Sequence, residues 1–223
     1  MSTIIVTGGA TGLGAALVAE LTASNHQVFP YDIKGGHDVR NPVNAVPANL
    51  DILINCAGIN KTGWLADFPE QTWDDVMDVN AKGIFKMTQW ALPSLIKSKG
   101  TVLNIVSNAS HMPMTCSVAY NASKGAAHIM TLQMARELTK KYGITVFGIS
   151  PNKLAGTGMS KDIEVQVLRD RGWSAEQANA YQLAALLTGE ETDPRELARF
   201  VAYLLSSKQR HKYFTGCIIP YGA

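Results

Sequence analysis

The chain has 223 residues, 46% of them apolar and 17% charged, with a formal net charge of +2. This is the composition of a folded chain with room for a full core, and it excludes a disordered or polyelectrolyte protein. No Lys/Arg run is longer than two residues and no apolar stretch approaches the ~20 residues of a membrane helix, so nucleic acid and bilayer partners are not expected.

In chain order, residues 3–7 form a short β-branched run of the kind buried on both faces of a sheet. Glycines follow, then a helical stretch from Ala15 to Ala23. Residues 27–32 form a second strand candidate that Pro30 weakens, because proline cannot donate to a ladder. Residues 33–50 read as loop. Residues 51–55 are a buried strand, followed by helical patterns at 70–80 and 82–98 and a strand at 101–106. A long helix is expected over 118–141, a strand over 144–149, and a mixed polar and helical segment over 152–192. Asp193 caps a helix over 194–206 that opens on Pro194, and 214–219 is the last strand. Alternating strands and helices predict a parallel α/β sheet covered on both faces. Cys56, Cys116 and Cys217 are too few and too scattered for a disulfide framework or a zinc knuckle, so three reduced, mostly buried thiols are expected. The N-terminal run lacks a basic leading region and is broken by glycines; a cytoplasmic protein without a signal peptide is the expectation.

Residues 7–14 read Thr-Gly-Gly-Ala-Thr-Gly-Leu-Gly where a strand turns into a helix. Glycine there permits positive φ and close approach, and the helix N-terminus offers N–H groups to a pyrophosphate. No Lys-Ser/Thr follows, so this is not an NTPase phosphate loop. Asp32 ends the second strand and suits a ribose diol, whereas its charge would repel a 2′-phosphate. Thr11 and Ile33 bring no arginine to offset that repulsion, although Lys34 is near. NAD is therefore preferred over NADP.

Tyr120 and Lys124, four apart, share one helical face. A phenol titrates near ~10, and a nearby ammonium favours the phenolate, so such a tyrosine can exchange a proton with an alcohol or ketone. Ser107 ends the strand 101–106, where parallel sheets bind ligands, and its hydroxyl is placed to meet a substrate oxygen. Ser110, Ser117 and Ser123 are rivals by composition alone.

With these residues in place, the chain resembles the short-chain dehydrogenase/reductases, the short single-domain subgroup. The likeness runs from Thr7 to the final strand. The glycine pattern falls on Gly8, Gly12 and Gly14. The family's Asn-Asn-Ala-Gly appears as Asn55-Cys56-Ala57-Gly58, its helix asparagine as Asn80, and its serine, tyrosine and lysine as Ser107, Tyr120 and Lys124. The resemblance implies a Rossmann-type doubly wound parallel sheet of about seven strands in a single domain over residues 1–223. It implies a substrate lid at about 154–190. Tyr120 would be the general acid/base, Lys124 would lower its pKa and bind the nicotinamide ribose, Ser107 would orient the substrate oxygen, and Asn80 would hold a water linking Lys124 to solvent. Gly8, Thr11, Gly12, Leu13, Gly14, Asp32, Ile33, Asp38, Val39, Asn55, Ala57, Gly58, Pro151 and Leu154 would line the cofactor with Tyr120 and Lys124, although Asn55 also reads as a tie between strands. No metal ligands are expected.

This sequence departs from the family pattern in places. Only five residues separate Asp32 from Asp38, so the usual third helix is missing or reduced. Asn152 follows Pro151 where the family has glycine, a position that asparagine tolerates at unusual φ. Thr157 lies one place late for a nicotinamide contact. His111, Met112 and Met114, with Leu154, Met159, Trp173, Tyr181 and Leu183, line the regions where the family holds its substrate. Pairing through the helices at 82–98 and 118–141 would give a homodimer or homotetramer. The leading expectation is an NAD(H)-dependent oxidoreductase of a small secondary alcohol or ketone. A nucleotide-binding redox sensor without turnover and an epimerase or dehydratase are the rivals.

Overall fold

The computed structural model describes residues 1–43, 45–184 and 186–222. Six parallel strands form one sheet: β1 (Thr3–Thr7), β2 (Gln27–Tyr31), β3 (Ile52–Asn55), β4 (Thr101–Ile105), β5 (Thr145–Pro151) and β6 (Ile218–Tyr221), in the order β2-β1-β3-β4-β5-β6. The helices are α1 (Gly12–Ala23), α2 (Glu70–Met77), α3 (Gly83–Ser98), α4 (Val118–Met134), α5 (Lys140–Tyr142), α6 (Gly158–Arg171), α7 (Ala175–Ala184), α8 (Pro194–Leu205) and α9 (Lys208–His211).

Period-two alternation explains the layers. Ile4, Val6, Ile52, Ile54, Leu103, Ile105, Phe147 and Ile149 face Leu13, Leu17 and Leu21 of α1 and Leu197, Val201, Leu204 and Leu205 of α8. The intervening Ile5, Leu53, Val102 and Val146 face Met87, Ala91 and Leu95 of α3 and Leu138 beyond α4. Asp193 caps α8 by accepting the Arg195 N–H, with Pro194 at the first position, as expected.

The sheet has six strands, not about seven. Between β2 and β3 the described residues hold only a 3-10 turn at Ile33–Gly35, because too few residues are present to build a helix and another strand. β2 is therefore an edge strand. Gln27 N–H bonds Ser2 O at 2.9 Å and Tyr31 O accepts Gly8 N–H at 2.9 Å, so residues 27, 29 and 31 face β1. Pro30 faces outward, loses no ladder bond and blunts the free edge, which is why proline is tolerated there. The last strand falls at 218–221 rather than 214–219, since Lys212–Phe214 form a 3-10 turn and the register with β5 begins at Ile218 opposite Gly148. All three cysteines are free, but only Cys116 is fully buried; Cys217 is exposed.

Candidate active site

The order β2-β1-β3 makes the chain reverse direction across the sheet at β1 and β3, and ligands bind in the crevice at such a switch point. Thr7, at the end of β1, bridges it: its Oγ1 accepts the N–H groups of Cys56 (2.9 Å) and Ala57 (3.0 Å).

The glycine turn fits a dinucleotide. Gly8 and Gly12 lie at φ +68° and +53°. A Cβ on Gly14 would stand 2.0 Å from the Gly8 carbonyl oxygen, so only glycine lets α1 start against the turn. Thr11 makes no side-chain capping bond, which leaves the first-turn N–H groups of Gly12, Leu13 and Gly14 to an external acceptor. Gly14→Ala is expected to cost about 1–3 kcal/mol of stability by overpacking, read as a lower urea midpoint, and to weaken dinucleotide binding. Wild-type stability and affinity in this variant would refute the packing argument.

Asp32 follows β2 directly, beside this turn. Its Oδ2 accepts the Ala10 N–H (3.0 Å) and its Oδ1 the Lys34 N–H (2.9 Å). Ile33 is exposed next to it. Asp38 is held by Arg40, which binds it through backbone N–H and guanidinium and draws its carboxyl below the usual range. Val39 is buried against Gly83. Asn55 lies beneath the crevice: its Nδ2 donates to Asn104 Oδ1 (2.8 Å) and Thr88 Oγ1 (3.3 Å), and Asn104 donates on to Thr131 (2.9 Å). This buried chain ties β3 to β4, α3 and α4.

The second half of the crevice is built around α4. Ser107, just past β4, accepts the Ala109 N–H at 3.2 Å, and its side chain lies beside Tyr120. Lys124 is buried, and its Nζ donates to Ile105 O at 3.0 Å and lies 5.8 Å from the Tyr120 ring centre. Burial pulls its ammonium down to about 8, an effect partly offset by the Cys56 thiol. The same burial pushes that thiol up to about 12. Tyr120 is half-buried; burial raises its phenol and the Ser107 side chain lowers it. The Lys124 ammonium is not among the groups that lower the phenol here; it donates to the Ile105 carbonyl.

Asn80 sits, fully buried, in a widened π-type turn at Asp78–Lys82 between α2 and α3. Its side chain clasps Ile59, accepting the N–H and donating to the O at 2.8 Å each, and also donates to Ser123 Oγ at 3.0 Å. Gly58 lies under this clasp: a Cβ there would come 3.3 Å from Asn80 Oδ1 and 3.8 Å from Lys124 Nζ.

Pro151 ends β5, and Asn152 turns out not to need unusual φ. Its side chain instead accepts from Thr192 Oγ1 (2.6 Å) and donates to Gly222 O, fastening the C-terminal tail. Leu154 pairs with Thr192 in a bridge, and Thr157 caps α6 within reach of Gly12.

Three positioning contacts escaped the sequence reading. Asn121 donates to Ala109 O (2.6 Å) and Met112 O (2.8 Å), holding the loop after Ser107. An asparagine in the first turn of a helix, where propensity disfavours it, was the available signal. Thr62 bonds Asp170 (2.6 Å), and Trp64 Nε1 bonds Asp170 O (2.8 Å), seating α6 on the loop after β3. Arg171 reaches Thr115 O at 2.7 Å and stacks near Trp173 and Tyr181. These contacts join residues too far apart in sequence for any pattern to reveal. His111 is exposed, as expected of a surface histidine.

Among the described residues no helix is long and apolar enough to cross a membrane and no metal-binding cluster occurs.

Comparison with known proteins agrees with this geometry. A profile of the short chain dehydrogenases matches residues 28–167. Sorbitol-6-phosphate 2-dehydrogenase of Klebsiella pneumoniae is 30% identical over 247 aligned residues, covering 96% of this chain and 91% of that protein. A 3-oxoacyl-acyl-carrier-protein reductase of Staphylococcus epidermidis is 30% identical over 217, covering 93% and 82%. Among solved structures, a protein from Agrobacterium tumefaciens provisionally assigned as a 2-deoxy-D-gluconate 3-dehydrogenase, with NADP bound, is 27% identical. It superposes with a TM-score of 0.82 over 98% of this chain and 94% of that one. A variant actinorhodin polyketide ketoreductase with NADPH reaches 0.85 at 22% identity over 98% and 95%, a likeness of fold. The switch-point crevice, the glycine turn and these relatives converge: the chain belongs to the short-chain dehydrogenase family, oxidoreductases that use a nicotinamide dinucleotide on CH–OH and C=O groups.

Proposed function

We propose that the chain moves a hydride between NAD(H) and a small secondary alcohol or ketone, with Tyr120 exchanging the proton. The observation that carries this reading is the gathering of Ser107, just past β4, with Tyr120 and the buried ammonium of Lys124, whose Nζ lies 5.8 Å from the Tyr120 ring centre. The nicotinamide, when bound, supplies or accepts the hydride. Ser107 orients the substrate oxygen. Tyr120 gives its proton to that oxygen in reduction and takes it back in oxidation. Its raised phenol stays protonated at neutral pH, which favours reduction there. Lys124 contributes positive charge toward the nicotinamide ribose, and Asn80 keeps the turn beside it open for a water leading to solvent. Dehydrogenase and reductase relatives weigh against a redox sensor without turnover.

The dinucleotide would run from Gly8, Thr11, Gly12, Leu13 and Gly14 to Asp32 and Ile33 at the adenosine end. Asp38, Val39, Asn55, Ala57, Gly58, Pro151 and Leu154 would complete its walls. NAD is the proposed partner: Asp32 opposes a 2′-phosphate, and Arg40 is already paired with Asp38. The NADP-bound relative sets the opposite expectation. Tryptophan-quenching titrations are expected to show NADH binding tighter than NADPH by about tenfold or more, with Asp32→Ala narrowing the gap. Tighter NADPH would reverse the cofactor assignment, and binding of neither would overturn the enzymatic reading.

Residues 154–190 would form the substrate lid of a single domain, seated by Thr62, Trp64 and Asp170. Exposed Phe85 on α3 and Ile129 on α4 support pairing of two or four copies through those helices. Three free thiols and nicotinamide chemistry fit a cytoplasmic setting.

A further inference from the structure

The end of the sheet opposite the glycine turn carries a second cavity, of about 160 Å³, where β4 and β5 begin. The chain reaches those strands through left-handed turns at Lys99 (φ 47°) and Gly143 (φ 72°), and α9 crosses beside them. Lys99, Lys208 and Lys212 line the cavity. Thr101 and His211, each 2% exposed, form its buried polar wall, joined at 3.0 Å. Burial pulls His211 below its ordinary value, so the ring adds no charge at neutral pH.

Part of the positive charge has an internal explanation. Lys208 Nζ donates to Ser98 O at 3.2 Å, at the carbonyl end of α3, and Lys212 lies 4.9 Å from the Tyr213 ring. Neither contact neutralises an ammonium. Among the described residues none of the three lysines forms an ion pair, and no Asp or Glu lines the cavity. Asp51, which accepts the Thr101 N–H on its main-chain oxygen, directs its carboxylate to the Thr3 N–H at 2.9 Å. A concave wall with charge of one sign focuses potential and concentrates counter-ions.

We propose that this cavity is a binding site for a small phosphorylated anion, separate from the cofactor crevice. A phosphate dianion offers enough oxygens to meet several point-charge ammoniums and offsets two of the three charges, whereas a single carboxylate offsets one. Thr101 and Thr145 supply hydroxyls at the same wall.

The test is a titration of the whole protein with inorganic phosphate at fixed ionic strength, read by thermal unfolding, with and without saturating NADH so that phosphate in the glycine turn is displaced. A saturable rise in midpoint that persists with NADH and is not produced by acetate is expected. Lys208→Gln/Lys212→Gln should weaken the apparent phosphate affinity by about tenfold or more while keeping wild-type NADH affinity. Lys212→Glu alone should do the same should the double variant fold poorly. No saturable rise in the wild type, or a rise undiminished in the folded variants, would overturn the proposal.

Discussion

Tyr120→Phe is expected to lower turnover by about 10²–10⁴-fold, the usual worth of a positioned proton donor, while leaving NADH affinity and the unfolding midpoint near wild type. The ring packing is kept and only the hydroxyl beside Ser107 is lost. Because burial holds the phenol above its ordinary value, the wild-type oxidation rate should climb with pH through the alkaline range, where the phenolate forms. Reduction, which needs the phenol, should fall over the same range. The variant should lose both limbs. Equal turnover by the wild type and the Tyr120→Phe variant, on a substrate found by screening carbonyl compounds, would remove Tyr120 from the chemistry.

Lys124→Met should impair catalysis and stabilise the fold. The ammonium is buried with one carbonyl partner, Ile105 O, and no carboxylate among its described contacts. Its value falls from 10.5 to about 8 on folding. The unfolded chain therefore holds the proton more tightly. Between pH 8 and 10.5 the unfolded state carries more protons, so wild-type stability rises with pH there; below 8 both states are charged and the full penalty applies. At about 1.4 kcal/mol per unit, that penalty is about 3 kcal/mol. Methionine removes it and forfeits a hydrogen bond of about 1 kcal/mol. The expected net gain is about 2 kcal/mol at neutral pH, shrinking as pH climbs from 8 toward 10.5. Urea unfolding at neutral and alkaline pH reads it directly. A methionine variant less stable than wild type at neutral pH would show that the ammonium is better solvated than its burial implies.

The parts of this molecule legible in the sequence are those governed by local periodicity. Ile4, Ile5 and Val6 announce a strand buried on both faces, and Asp193-Pro194 announces a helix start. Ser107, Tyr120 and Lys124 were legible because strand end and helix spacing bring them together. What was missed depends on widened turns and distant contacts. Nothing in Asp78–Lys82 marks a π-type turn, and the 118–141 helix likewise contains one at Ala135–Thr139. The structure has six strands rather than about seven because the shortened 33–50 segment leaves no chain for another. The folding of Arg40 back onto Asp38, two residues earlier, is likewise a tertiary detail that no periodicity marks.

The pairing of α1 with α8 has a consequence for how the protein is made. Leu13, Leu17 and Leu21 find their cover in Leu197, Val201 and Leu205, nearly the whole chain away. During synthesis β1 and α1 emerge first, yet one apolar flank of the nascent sheet stays open until α8 leaves the ribosome. A growing chain of this design keeps that apolar surface exposed until α8 is made, the kind of transiently open surface through which partly folded chains aggregate.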